Sequence, residues 1–284
     1  MRLGFNLLLR TALVTREHNR LIERVAACGY QGVEIPVMQG EASHYRDLGR
    51  LIRDTGLSCT ASTALPGPEA NPISDDPRSQ QAAIDYLRWC IDNVAALGGT
   101  VLCGPTYQAL GEFSGVGPTS DELRRACDAH QAAADHAAPA GVSIAVEPLN
   151  RFECHLLNTM EDAARHVTEV DRSNVGVLFD TFHANIEEAS IVDAAGRHAA
   201  SINHVHLSEN HRGIPGEGHI DFTAVINRLR DAGYDGWFVV ESFGRSLPEL
   251  AAATRIWRDL FDSPEEVVDR AAKHLRGCLE EPPG

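Results

Sequence analysis

Eight short apolar runs recur along the chain, separated by segments whose apolar residues return every three or four positions. The runs are Gly4–Leu9, Gly32–Ile35, Leu57–Ser62, Thr100–Cys103, Val142–Glu147, Val175–Asp180, Ser201–Leu207 and Trp237–Glu241. Apolar content without polar alternation is the pattern of strands covered on both faces, as in parallel sheets. Parallel neighbours need crossovers, and the intervening stripes supply them. Ile84, Leu87, Ile91, Val94 and Leu97 form one, and Leu21, Ile22, Val25 and Cys28 another. Phe222, Val225, Ile226 and Leu229 form a third, behind a predicted N-cap at Asp221. Gly29, Gly56, Gly98, Gly141 and Gly233 follow helical segments and read as helix stops. Eight such units with right-handed crossovers predict an α/β fold, a (β/α)8 TIM barrel, as one domain over residues 1–284. An additional C-terminal helix is expected at about 264–279, covering the barrel's bottom or an oligomer contact, and residues 280–284 should fray. An open doubly wound sheet would carry a glycine-rich turn after an early strand, whereas Arg10-Thr11-Ala12-Leu13 follows the first run.

Composition narrows the partners. A net charge of −15 repels phosphate backbones, which argues against nucleic acid. No apolar run reaches transmembrane length, so no membrane partner is expected. Seven widely spaced cysteines without a C-x-x-C pair read as reduced thiols in a cytoplasmic protein.

In a barrel, chemistry sits at the carboxyl ends of the strands. The last four runs carry Glu147, Asp180, His204-Val205-His206 and Glu241 at those ends. Any one acid reads equally well as an N-cap for the next helix. Four consecutive strands aiming such groups at one spot point to a metal centre. Three carboxylates and one imidazole suit a single divalent cation, Mn²⁺ first and Co²⁺ or Mg²⁺ after it, better than a thiolate-bound structural zinc. His206 lies nearer the strand end and is the expected ligand; His204 reads as a satisfied core histidine. His183, in the loop beyond strand six, is a candidate to hydrogen-bond a substrate oxygen, and Arg212, in the Ser208–Ile220 loop, a candidate to reach a carbonyl or phosphate; each also reads as an unengaged loop residue. Glu153 beside Arg151 reads by itself as a surface ion pair. Tyr107 and Phe113 are lid candidates, and Trp89, Trp237 and Trp257 read as core or interface. Cys154, His155 and His211 lack the third group a nucleophilic site requires.

The segments Glu147-Pro148-Leu149-Asn150-Arg151-Phe152-Glu153, Asp180-Thr181-Phe182-His183, His204-Val205-His206-Leu207-Ser208-Glu209 and Val240-Glu241-Ser242-Phe243 carry a resemblance. They resemble the xylose isomerase-like sugar isomerase/epimerase barrels, nearest the D-tagatose 3-epimerase and D-psicose 3-epimerase group. The resemblance implies that Glu147, Asp180, His206 and Glu241 hold one divalent metal. It implies that Glu147 and Glu241 are the catalytic bases exchanging the C3 proton of a 2-ketose. It further implies that Glu153, His183 and Arg212 bind the substrate's carbonyl end, and that the protein is a homodimer or homotetramer. Inverting C3 needs a base on each face, which glutamates from strands five and eight satisfy. Three other enediolate chemistries of this barrel stay open: aldose–ketose isomerisation, inosose dehydration and cleavage of a 3-keto-C-glycoside. A DNA-repair endonuclease of related fold would need more metal ligands and a basic groove. Gly244-Arg245-Ser246 is the one phosphate-site candidate and lacks a glycine-rich nest, which favours a free sugar.

Overall fold

The computed structural model describes residues 1–280. Eight parallel strands close into a barrel in sequence order: β1 (Arg2–Asn6), β2 (Gly32–Pro36), β3 (Ser58–Ser62), β4 (Val101–Gly104), β5 (Ser143–Val146), β6 (Val175–Asp180), β7 (Ile202–Leu207) and β8 (Trp237–Val240). The seam pairs Phe5 of β1 with Val240 of β8. Around it lie α1 (Asn19–Ala27), α2 (Ala42–Asp54), α3 (Pro77–Leu97), α4 (Ser120–Ala137), α5 (Met160–Val170), α6 (Thr181–Glu187), α7 (Ile191–His198), α8 (Phe222–Asp231), α9 (Pro248–Ala253) and α10 (Pro264–Glu280).

Local chemistry sets the helix ends. Asp76 caps α3 with Pro77 in its first turn, and Gly98 ends it in the left-handed region at φ 82°. Thr119 with Glu122, and Thr159 with Asp162, form capping boxes at α4 and α5. Asp221 caps α8, as its position predicts. Outward-facing strand residues such as Phe5, Ile35, Phe179 and Val240 pack in one core with helix residues such as Ile22, Ile52, Ile91 and Ile226. Each fully buried side chain of this size contributes about 1.5–3 kcal/mol.

The barrel interior is apolar low down and polar at the carboxyl end. Trp237 fills the lower end beneath Arg2, whose guanidinium lies 4.3 Å above the ring. Gly32 makes room for that indole, because a Cβ there would sit 2.5 Å from a ring carbon. Val101, Cys103, Ala145 and Leu178 form a middle layer. Above them, interior positions carry Asn6, Glu34, His204 and His206, all buried.

One expectation changes. The first strand ends at Asn6, and Leu7–Leu9 form a 3-10 turn capped by the Asn6 side chain, which accepts from Leu8 N. All three leucines are buried, so an apolar run alone reads as strand. The register between β6 and β7 shifts beside Val177, leaving Asn203 as an extra residue. His204 and His206 then lie opposite Leu178 and Asp180. The additional C-terminal helix is present and packs beside α1 and α8. The expected fraying at 280–284 falls, beyond Glu280, outside the described residues. The seven cysteines are unpaired. No described helix is long and apolar enough to cross a membrane.

Candidate active site

Glu147 follows β5 directly, Asp180 ends β6, His206 is the penultimate residue of β7, and Glu241 follows β8. All four are buried, and one ligand atom from each lies within 4.8 Å of the others. Asp180 serves as both cap and candidate ligand, one oxygen for each. Its Oδ1 accepts from Phe182 N at 2.6 Å and His183 N at 3.1 Å, capping α6. Its Oδ2 is buried without a hydrogen bond, as is His206 Nδ1. Buried polar atoms are normally satisfied. Two orphaned Lewis bases facing two further carboxylates therefore fit a divalent cation with mainly oxygen ligands.

The electrostatics are strongly coupled. Burial, then Glu241 and Asp180, push Glu147 well above the usual carboxylate range. Burial, opposed by Arg212, lifts Asp180 to about 6. Burial also acts on Glu241, but His206 and Arg212 outweigh it and hold this group down. A cation at the cluster would favour the ionised form of all three.

Arg212 places a permanent positive charge beside the cluster. Its Nη1 lies 2.6 Å from Glu241 Oε2 and 3.5 Å from Asp180 Oδ2, and donates to Ser208 Oγ at 3.0 Å. Its guanidinium is stacked 3.9 Å from the Phe182 ring centre and 4.8 Å from that of Phe243. Arg212 Nη2 sits 2.8 Å from His183 Nε2. Burial, then the Arg212 charge, keep the His183 ring neutral. Asn150 Nδ2 donates to Glu153 Oε1 at 2.8 Å, and Asn150 N donates to His183 Nδ1 at 3.1 Å. Arg151 instead pairs with Glu187, so the expected Glu153–Arg151 ion pair does not form. Glu153, His183 and Arg212 all line one pocket with Glu147, His206 and Glu241. The rest of the lining is mostly apolar, with Leu8, Met38, Leu110, Phe243 and Leu250 beside the hydroxyl-bearing Ser62, Thr63 and Thr254.

For Tyr107 the lid expectation is corrected. Tyr107 is fully buried and donates to Leu157 O at 3.1 Å while accepting from Leu149 N at 3.2 Å. It pins the loop after β5 and covers nothing. Phe113 is half exposed, and Leu110 of the same loop lines the pocket. Trp237 is core and Trp89 partly buried, but Trp257 is 67% exposed. Cys154, His155 and His211 are held in local hydrogen bonds with Tyr107, Glu122 and Gly213. Arg245 pairs with Asp259, and Ser246 Oγ donates to Leu9 O.

Residues 22–279 match the family model described as xylose isomerase-like TIM barrel. The chain belongs to this family. Among the relatives of this xylose isomerase-like barrel, the ketose 3-epimerase of Arthrobacter globiformis is 32% identical over 260 residues, covering 91% of this chain and 89% of the relative. The L-ribulose 3-epimerase of Mesorhizobium japonicum is 33% identical over 266 residues, covering 93% and 87%. The crystal structure of the D-allulose 3-epimerase from Methylomonas sp. in complex with D-allulose superposes with a TM-score of 0.90 at 29% identity, covering 98% and 96%. The family is enzymatic, and these relatives are carbohydrate epimerases.

Sequence reading missed Glu34 and Asn6. Glu34 Oε1 lies 2.7 Å from His206 Nε2, and Oε2 lies 2.7 Å from His204 Nε2. His204 is thus satisfied on one side, while its Nδ1 has no partner. The signal was present: a glutamate within the apolar run Gly32–Ile35 and an asparagine within Leu3–Leu9 are costly to bury without partners.

Proposed function

We propose that this xylose isomerase-like barrel is a metal-dependent ketose 3-epimerase acting on a free ketohexose or ketopentose. The observation that carries the reading is the buried cluster of Glu147, Asp180, His206 and Glu241, with orphaned atoms on two of its members. The named activities of relatives about 30% identical support the reaction type. Glu147, Asp180, His206 and Glu241 would hold one divalent cation, Mn²⁺ first and Co²⁺ or Mg²⁺ after it. When bound, the cation supplies Lewis-acid stabilisation of negative charge developing on the substrate's oxygens.

The chain's own groups do the rest. The C3 proton of a 2-ketose is acidic because the C2 carbonyl absorbs the charge as an enediolate. One glutamate of the pair Glu147 and Glu241 takes that proton from one face. The other delivers a proton to the opposite face, so the electron pair returns to C3 with inverted configuration. Arg212 and neutral His183 direct donors at the carbonyl end, with Glu153 accepting from a substrate hydroxyl beside them. Engagement of Arg245 and Ser246 within the protein supports an unphosphorylated substrate.

The test is a substrate panel. Chelator-stripped protein reloaded with Mn²⁺ is offered D-fructose, D-psicose, D-tagatose, D-sorbose and L-ribulose, and products are separated by chromatography. The expected products differ from substrate only at C3, and chelator abolishes the conversion. An aldose or a dehydrated product would replace epimerisation by another enediolate chemistry.

A further inference from the structure

Glu34 stands outside both the four-residue cluster and the pocket lining, yet it is fully buried and crowded with donors. Oε1 accepts from Asn6 Nδ2 at 3.0 Å and lies 2.7 Å from His206 Nε2. Oε2 accepts from Thr60 Oγ1 at 2.9 Å and lies 2.7 Å from His204 Nε2. Asn6 and Thr60 each donate to one oxygen, and the Cys103 thiol lies 3.4 Å from Oε2, so both oxygens already face donors other than the imidazoles, as suits an ionised carboxylate. The carboxylate can only accept, so each imidazole must carry its proton on Nε2. For His206 this turns Nδ1 toward the cluster, 3.2 Å from Glu241 Oε1 and 3.8 Å from Asp180 Oδ2. Asn6 Nδ2 also lies 3.2 Å from Glu241 Oε1, so the same anchor reaches a second member of the cluster.

We propose that Glu34 is the positioning residue of the metal site: it holds His206 with the proton on Nε2, so that the Nδ1 lone pair faces the divalent cation. The proposal rests on reading the cluster as a metal site. Carboxylate partners of a ligating histidine fix its tautomer and ring orientation, and their loss costs about 10–100-fold in metal affinity. Glu34, Cys103, His204 and His206 also lie close enough to hold a cation themselves. Glu34 has both oxygens engaged, however, and burial, then Glu34, keep the Cys103 thiol protonated.

The test is a Mn²⁺ titration of the stripped full chain, followed by the electron paramagnetic resonance signal of the free ion. We expect one site, bound about 10–100-fold more weakly in Glu34→Gln. In Thr60→Val, which keeps the His206 contact, binding should stay within about threefold of wild type. Unchanged affinity in Glu34→Gln overturns the proposal. So does a stoichiometry of two with one ion lost in that variant, because Glu34 would then be a ligand itself. Should Glu34→Gln fail to fold, the wild type decides: in ¹⁵N-histidine-labelled, Mg²⁺-loaded protein, His206 must show a protonated Nε2 and a bare Nδ1. A proton on Nδ1 overturns the assignment. None of these readouts uses a sugar, so a metal-binding protein without epimerase activity would sink the proposed function and leave the role of Glu34 standing. A wild type that binds no metal overturns both.

Discussion

Arg212 holds a left-handed backbone conformation, φ 64°, that a non-glycine residue adopts at some cost. The surroundings fix it there: its N donates to Glu209 O, its O accepts from Phe243 N, and its side chain is clamped between two rings and two carboxylates. A planar guanidinium suits this slot because it stacks and donates along several directions at once. Lysine keeps the charge and loses the fork. We predict that Arg212→Lys lowers kcat/KM by about 10²-fold, the scale of removing one oriented donor. Steady-state kinetics on the preferred ketose checks this; a rate within about threefold of wild type would mean that charge alone suffices. Asp180 gives the complementary lesson. Its cap role and its candidate ligand role do not compete, because they use different oxygens.

At the scale of elements, the helices α4 and α5 are joined by a buried polar chain. His130 of α4 is hydrogen-bonded through Nδ1 to His166 Nε2 of α5 at 2.7 Å, and through Nε2 to Thr106 Oγ1 at 2.9 Å. Burial lowers the His166 pKa from 6.5 to about 4, and burial with the neighbouring ring lowers that of His130 as well. The folded state therefore prefers neutral rings. This contribution is complete above the unfolded value of 6.5 and is lost as pH falls from there towards 4. For His166 alone the loss between pH 7 and 5 is roughly 2 kcal/mol. Urea unfolding of the wild type and His166→Gln at both pH values should show a smaller acid-induced loss in the variant; equal losses would remove His166 as a source. Neither histidine stood out in the sequence, since each looks like one apolar-face residue of a helix. The strands were legible because burial on both faces leaves continuous apolar runs. The Leu7–Leu9 turn and the Asn203 bulge were not, because hydrophobicity does not encode the backbone direction that Asn6 capping and register set. The cluster of four ligand-type residues was legible because each closes a strand. Glu34 was overlooked because it lies within one, where only its burial, unknown from sequence, demands a partner.

The whole molecule separates support from chemistry. A tryptophan-filled lower barrel and the surrounding helices form a continuous core, while the upper interior carries a polar column rising from Glu34 through His206 to the glutamates at the mouth. Such a column is tolerable only when nearly every member is partnered. Within the cluster, Asp180 Oδ2 and His206 Nδ1 are the atoms left without partners, and the proposed cation would complete them. The central claim is that Glu147 and Glu241 exchange a proton at C3, and it is tested most directly by turnover in deuterated water, with products read by NMR after removal of the metal. The account predicts deuterium at C3 with the ketone retained at C2 in the wild type, and no C3-inverted product in folded Glu147→Gln or Glu241→Gln, whose single remaining base serves one face only. Deuterium at C1, or near-normal formation of the C3 epimer in either variant, would contradict it.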